Sequence, residues 1–251
     1  AEGAGVRMGP AKVHAGDGID IHSAGDLHVS GKADNPSELH SERGALNLSA
    51  AHDLTLRAVE GQAQQVVVKA GQKLTLDADS LANTEHDREN WKKKFLFVTR
   101  ETYNRERTTT QNQQHGTQLH GQDSVTLQSG ADMRLVAADV KAGGELNVDS
   151  AGKLDIVAGI DSQHIKEQVR HRKDLWRGDR DTEQTRETAQ GSTLNAERMA
   201  LTAADTLTVQ GSTLHSNSDM QIKARQVEIG TTALQNSGTQ RNYRGDLVSG
   251  T

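Results

Sequence analysis

The sequence predicts an all-β chain, a right-handed parallel β-solenoid with coils of about 19–20 residues, carrying two long projecting insertions. Three observations lead there. A short strand pattern recurs along the chain, its apolar positions fall at regular spacings, and aromatic residues are nearly absent.

The recurring pattern is a turn with Gly, Asp or Asn followed by apolar–x–apolar. It is seen in GIDIHSAGDLHVSG (18–31), GALNLSAAHDLTLRA (44–58), DSVTLQSGADMRLVAA (123–138) and ERMALTAADTLTVQG (197–211). Alternation with period two turns one side of each unit inward and reads as a short strand. The same i, i+2 pairs would fall on opposite faces of an α-helix, so a heptad reading fails. The abundant Thr, Ser, Asp, Asn and Gly favour strands and turns for the same segments.

The spacing supplies the architecture. Ile19 to Leu27, Leu46 to Leu54, Leu127 to Leu135 and Met199 to Leu207 are each eight apart. Leu27 to Leu46, Leu127 to Leu146 and Leu201 to Met220 are nineteen apart, and Leu54 to Leu74 and Leu207 to Val227 are twenty. A coil of that length holds two or three short strands. Coils stack about 4.8 Å apart, so that equivalent inward positions form aliphatic ladders.

Composition agrees and excludes other classes. Only 33% of the 251 residues are hydrophobic and 2% aromatic, too few rings for an ordinary globular core. The net charge of −5 argues against a basic nucleic-acid-binding field. Phe95 to Val98 is the longest apolar run, far short of the roughly 20 residues a membrane-spanning helix needs. There are no cysteines, hence no disulfides and no thiolate metal sites. The opening AEGAGVRMGP lacks a signal-peptide core and reads as mid-protein. No cofactor is expected. The eleven His residues are scattered, His22 and His28 among them, and read as a solvated face.

Two stretches break the repeat, about 79–115 and 160–190, and a third begins at about 238. Each of the first two ends in a matching restart, GTQL at Gly116 and GSTL at Gly191, which marks a longer unit of coils plus one excursion. The whole chain is thus expected to be one solenoid, interrupted by excursions. All six aromatics lie in them: Trp91, Phe95, Phe97, Tyr103, Trp176 and Tyr243. Partial alternation, as in TRETYNRERTTT, predicts long β-hairpins. Ile165 and Val169, four apart, leave an amphipathic helix as the alternative.

Candidate interaction residues therefore sit in the excursions. Trp91, Lys92, Lys93, Lys94, Phe95 and Phe97 join aromatic, basic and apolar groups. That suits packing of the two Phe rings on the solenoid, or contact with a membrane surface or another protein segment. Tyr103 and Trp176 accompany them. Arg177, Gly178 and Asp179 form an RGD tripeptide that recurs at Arg244, Gly245 and Asp246. The tripeptide reads as a repeated hairpin tip or as a receptor-recognition motif.

The restarts, such as GSTLNAERMALTAADTLTVQGSTL (191–214), and the charged insertions carrying KKKFLF (92–97) resemble the second haemagglutinin-type repeat region of filamentous haemagglutinin-like exoproteins. The resemblance covers nearly the whole chain. It implies a right-handed β-helix within a long secreted or cell-surface filament, exported by two-partner secretion through an outer-membrane transporter. In contact-dependent growth inhibition effectors of that kind, the region is held in the periplasm. It later helps deliver a C-terminal toxin across the target-cell outer membrane. In adhesin relatives it serves as stalk or binding surface for a receptor. A β-helix polysaccharide lyase is the enzymatic competitor. It would need carboxylates and basic residues converging on a groove with aromatic subsites, whereas here the acidic residues are spread and the coils hold no ring.

Overall fold

The computed structural model describes residues 5–246 and divides into two compact units. One comprises the chain up to Leu81, Gln114–Ile160 and Ala189–Ala233; the other comprises Ala82–Gln113, Asp161–Thr188 and the chain from Leu234 on. The last part of the expected third excursion, 247–251, lies outside the described residues.

The first unit is the β-helix. An 8-stranded parallel sheet forms one face of the coils, running from Val6–Met8 through Leu27–Ser30, Leu54–Arg57, Leu74–Asp77, Met133–Val136, Leu154–Val157 and Thr206–Gln210 to Gln226–Gly230. A 12-stranded parallel sheet supplies the other two faces. Strands such as Lys12–Ala15 and Ser37–Ser41 lie on one of these, and Ile19–Ser23 and Ala45–Ala50 on the other. The long strands Val59–Ala70 and Gln118–Ser129 continue from one face to the next, with a register shift between Gly121 and Ser124.

The ladders refine the coil length. Leu54 faces Leu74, and Leu207 faces Val227, each pair twenty apart in the chain; Met133 faces Leu154, and Leu127 faces Val148, each pair twenty-one apart. The pairs nineteen apart do not face one another: Leu127 pairs with Val148, not Leu146, and Leu201 with Ile222, not Met220. Each strand has two inward positions two residues apart, and sequence alone cannot tell which of them is stacked on which. The pairs eight apart are inward residues of consecutive strands. Leu27 faces Leu54, a longer step than the others, because Lys32 and Asn35 close an extra loop between them.

Every coil interior is a thin aliphatic layer. Leu27, Leu54, Leu74, Met133, Leu154 and Leu207 form one buried column on the first face. Each Leu removed from water contributes roughly 1.5–3 kcal/mol. A small-residue column, Ser23, Ala50, Ala70, Ser129, Ser150 and Ala203, lines a corner where nothing larger is buried. The Ser hydroxyls there donate to turn carbonyls, as Ser23 Oγ does to the Asp26 oxygen at 2.7 Å and Ser150 Oγ to the Lys153 oxygen at 2.9 Å.

The restarts after each excursion have a specific job. Where the chain turns directly from the first face, the corner amide N–H groups of Ala58 and Ala137 donate to the Asp77 and Val157 carbonyls of the next coil. After the first excursion, buried Thr117 Oγ1 donates to the Leu56 and Asp77 oxygens, both at 3.1 Å. After the second, buried Ser192 Oγ donates to the Val157 oxygen at 2.8 Å and accepts from the Ala138 amide at 3.0 Å. The preceding Gly116 admits no side chain, since a Cβ there would lie 1.7 Å from the Ala137 carbonyl oxygen.

The second unit is a five-stranded sheet in the order Asp79–Phe95, Val98–His115, Gly159–Lys173, Trp176–Gln190, Ser237–Asp246. The first four strands form two β-hairpins, closed by two-residue turns at Leu96–Phe97 and Asp174–Leu175. The helix alternative fails: Ile165 and Val169 lie in a strand, where residues four apart also share a face. The hairpins join through twelve antiparallel pairs, from Glu101↔Lys173 to Asn112↔Ser162.

Thr117→Val should lower stability by about 1–3 kcal/mol by removing the buried hydroxyl that bonds the Leu56 and Asp77 carbonyls and accepts from the Val59 amide, whereas Thr117→Ser should recover most of it. Circular-dichroism melting checks both. Leu127→Asp places a carboxylate in a dry layer and should cost about 4 kcal/mol or more, seen as loss of the cooperative transition.

Candidate functional site

The five-stranded sheet and its turns hold all the candidate residues, and alternation sorts them onto its faces. Trp91 and Tyr103, opposed within the first hairpin, stack with ring centroids 5.3 Å apart and planes 14° from parallel. Tyr103 is paired directly with His171 of the second hairpin, and the rings meet edge-on at 6.0 Å. His171 in turn meets Trp176 edge-on at 5.3 Å. One aromatic row therefore crosses four strands. Such contacts add about 0.5–1.5 kcal/mol each beyond area burial, which matters in a sheet whose side chains are mostly half-exposed. His171 is the member that residue-by-residue reading missed. It links rings on strands from different hairpins, and no local spacing announces that pairing.

The cations are arranged around this row. Lys93 Nζ lies 5.1 Å from the Trp91 centroid and 3.5 Å from Glu101 Oε2. Lys92 and Lys94 are exposed. The Arg100 guanidinium lies 5.7 Å from the Phe95 centroid. Phe95 and Phe97 do not pack down as a buried pair: Phe95 is exposed, and Phe97 is completely so. The turn places Phe97 at the outermost position of the hairpin, where neither flanking strand can cover it.

The RGD tripeptide is not a hairpin tip. The turn falls at Asp174–Leu175, so Arg177, Gly178 and Asp179 already belong to the Trp176–Gln190 strand. They pair antiparallel with the second copy: Arg177 faces Gly245 and Gly178 faces Arg244. Arg177 and Asp179 share a face, and their side chains bond each other, with Nη2 2.6 Å from Oδ2. Gly178 is on the opposite face under the Trp176 ring, where a Cβ would lie 2.5 Å from the indole. Gly245 has the Tyr243 ring in the same relation, and Arg177 lies 5.9 Å from that ring. The motif thus serves cross-strand packing. Its glycine makes room for an aromatic ring two residues away.

Ion pairs run across the sheet beyond the row. Arg105 Nη2 meets Glu167 Oε2 at 2.9 Å, and Arg170 Nη1 meets Asp181 Oδ1. The Arg170 guanidinium holds the Asp181 carboxyl below its ordinary range. On the coils, His22 Nδ1 lies 2.8 Å from Ser49 Oγ. Partial burial lowers the pKa of His28. Among the described residues, no group of three or more His, Cys, Asp or Glu side chains is placed to hold a metal ion.

With this geometry in place, the similarities to known proteins are specific. The chain matches the family described as Haemagglutinin repeat over residues 11–31, 32–100 and 171–250, and a second, Hemagglutinin repeat, over residues 90–170. The chain belongs to the haemagglutinin repeat family. A hemolysin of Serratia marcescens is 26% identical over 228 residues, which cover 87% of this chain and 14% of the relative. The chain therefore spans about one-seventh of that relative's length. No solved structure matches it significantly.

Glu101 offers a pH handle on the sheet. Its carboxyl is held below the ordinary 4.5, first by a hydrogen bond from His171 Nε2 at 2.9 Å and then by Lys93. A depressed carboxylate stabilises the fold fully above its ordinary value and loses that contribution as pH falls through the lowered one. The melting midpoint should therefore drop on acidification below the ordinary 4.5, and Glu101→Gln should flatten that drop. Parallel acid titrations of wild type and variant would show it.

Proposed function

We propose that the chain is a repeat segment of a large secreted or cell-surface bacterial exoprotein, with a scaffold rather than an enzymatic role. The carrying observation is the continuous parallel ladder joined to membership of the haemagglutinin repeat family. A segment covering 14% of a much longer relative fits one section of a filament. The full-length protein would then use an outer-membrane transporter of two-partner secretion as its export partner. It would pass through the periplasm before deployment. Absence of cysteine suits a chain that crosses membranes unfolded.

Within that setting, the finer reading is assistance in contact-dependent delivery of a toxin across a target cell's outer membrane. The hairpin sheet favours it, because it concentrates every aromatic residue on elements separate from the aliphatic ladder. A second reading, an adhesin stalk that meets a receptor, is favoured by the family's description as a haemagglutinin. The internal Arg177–Asp179 ion pair weighs against the RGD tripeptide as its contact point.

A deletion in the full-length exoprotein separates the two. Removing residues 116–190 joins one restart to the next and takes out one whole unit with the second hairpin. Delivery predicts retained surface display with killing of contacting cells clearly reduced. A stalk predicts killing close to wild type at equal display, which would refute the delivery reading.

A further inference from the structure

The turn of the first hairpin is built against its own conformational interest. Leu96 and Phe97 have φ of 45° and 66°, in the left-handed region at both central positions. Two-residue hairpin turns of this kind are dominated by Asn-Gly, because a bulky side chain at positive φ is strained. Burial does not offset that strain here. Leu96 is 75% exposed and Phe97 100%, with Phe95 and Val98 exposed on either side. Strain combined with full exposure of apolar groups points to a role outside the fold.

The second turn lies beside the first in the same sheet. The Asp174 amide donates to the Arg100 carbonyl at 2.7 Å, and the Arg100 guanidinium lies 3.3 Å from Asp174 Oδ1. Exposed Leu175 and Trp176 thereby extend the apolar tip. The surrounding charge is predominantly positive, although Asp174 pairs with Arg100 and Glu101 with Lys93. Residues 91–100 carry four cations and no carboxylate, in a chain whose net charge is −5. Arg172 and Lys173 add to them from the second hairpin. Lys92, Lys94 and Arg172 form no ion pair among the described residues.

We propose that the paired tips dock on an anionic lipid surface, with Leu96 and Phe97 entering the boundary between headgroups and acyl chains. The lysines and arginines around them would engage headgroup phosphates. A convex apolar point ringed by cations matches a fluid negative surface, with Trp176 at interface depth. The exposed run of four residues is well short of the roughly 9–11 that a spanning strand requires, so the tip rests in the interface and does not cross. This proposal stands on the tip geometry and holds whether or not the exoprotein delivers a toxin.

The test uses the described chain with vesicles of phosphatidylcholine alone and of phosphatidylcholine with phosphatidylglycerol. Co-sedimentation should favour the phosphatidylglycerol vesicles by about tenfold or more, given several cations near the surface. Leu96→Asn/Phe97→Gly installs the preferred turn, so its melting midpoint should equal or exceed that of wild type. Its vesicle binding should nevertheless fall about tenfold, as two apolar anchors are lost. Lys92→Gln/Lys93→Gln/Lys94→Gln should remove most of the preference for phosphatidylglycerol. Absence of vesicle binding, equal binding to both vesicles, or wild-type binding by the Asn-Gly variant would each overturn the proposal. So would a lower melting midpoint for that variant, since Leu96 and Phe97 would then be stabilising the hairpin.

Discussion

Coil-on-coil stacking governs the β-helical unit. Each inward Leu, Val or Ile rests on its counterpart in the next coil, and each strand's backbone bonds the strands above and below. The stacking distance is set by the backbone, so each inward side chain occupies one thin layer, which aliphatic side chains fill here. Close stacking also accounts for the Ser and Ala of the corners and for glycine where one coil's backbone meets the next. Stability in such a stack is a sum of neighbour contacts, so local damage spreads to adjacent coils.

Where the chain re-enters the stack after an excursion, it places a buried hydroxyl at the corner. A direct corner satisfies a carbonyl of the next coil through its own amide, as Ala58 and Ala137 do. The corner that opens into the second excursion keeps such a donor, since the Ala158 amide donates to the Gln210 carbonyl at 3.1 Å. Thr117 and Ser192, each the first residue after a restart glycine, add a buried hydroxyl to the same Asp77 and Val157 carbonyls that the Ala58 and Ala137 amides bond. The GT and GS of the restarts thus contribute buried hydrogen bonds at these corners, which the aliphatic repeat alone would not have called for.

The hairpin sheet is organised by different physics. Most of its side chains are partly exposed, so no deep core holds it. Cross-strand pairs each stabilise it by small amounts: ring contacts through Tyr103 and His171, ion pairs such as Arg105 with Glu167, and hydroxyl pairs such as Thr84 with Thr110. Exposed ion pairs contribute at most about 1 kcal/mol each, so the sheet depends on their number and on its length. Against that modest background, an apolar turn in a strained conformation is an expense that the fold itself does not require.

The sequence by itself determined the strand pattern, a coil close to twenty long, the positions of both hairpins and the family resemblance. These follow from local alternation and repeat spacing, which a single chain displays directly. It did not determine the register, because two inward positions per strand look alike until a ladder pairs Leu127 with Val148 and not Leu146. Nor did it show that Tyr103 meets His171, or that the two RGD copies face each other across neighbouring strands. Those pairings join segments far apart in the chain. They arise only when hairpins align side by side, and the same alignment turns a suspected recognition tip into a packed strand and brings the two exposed turns together.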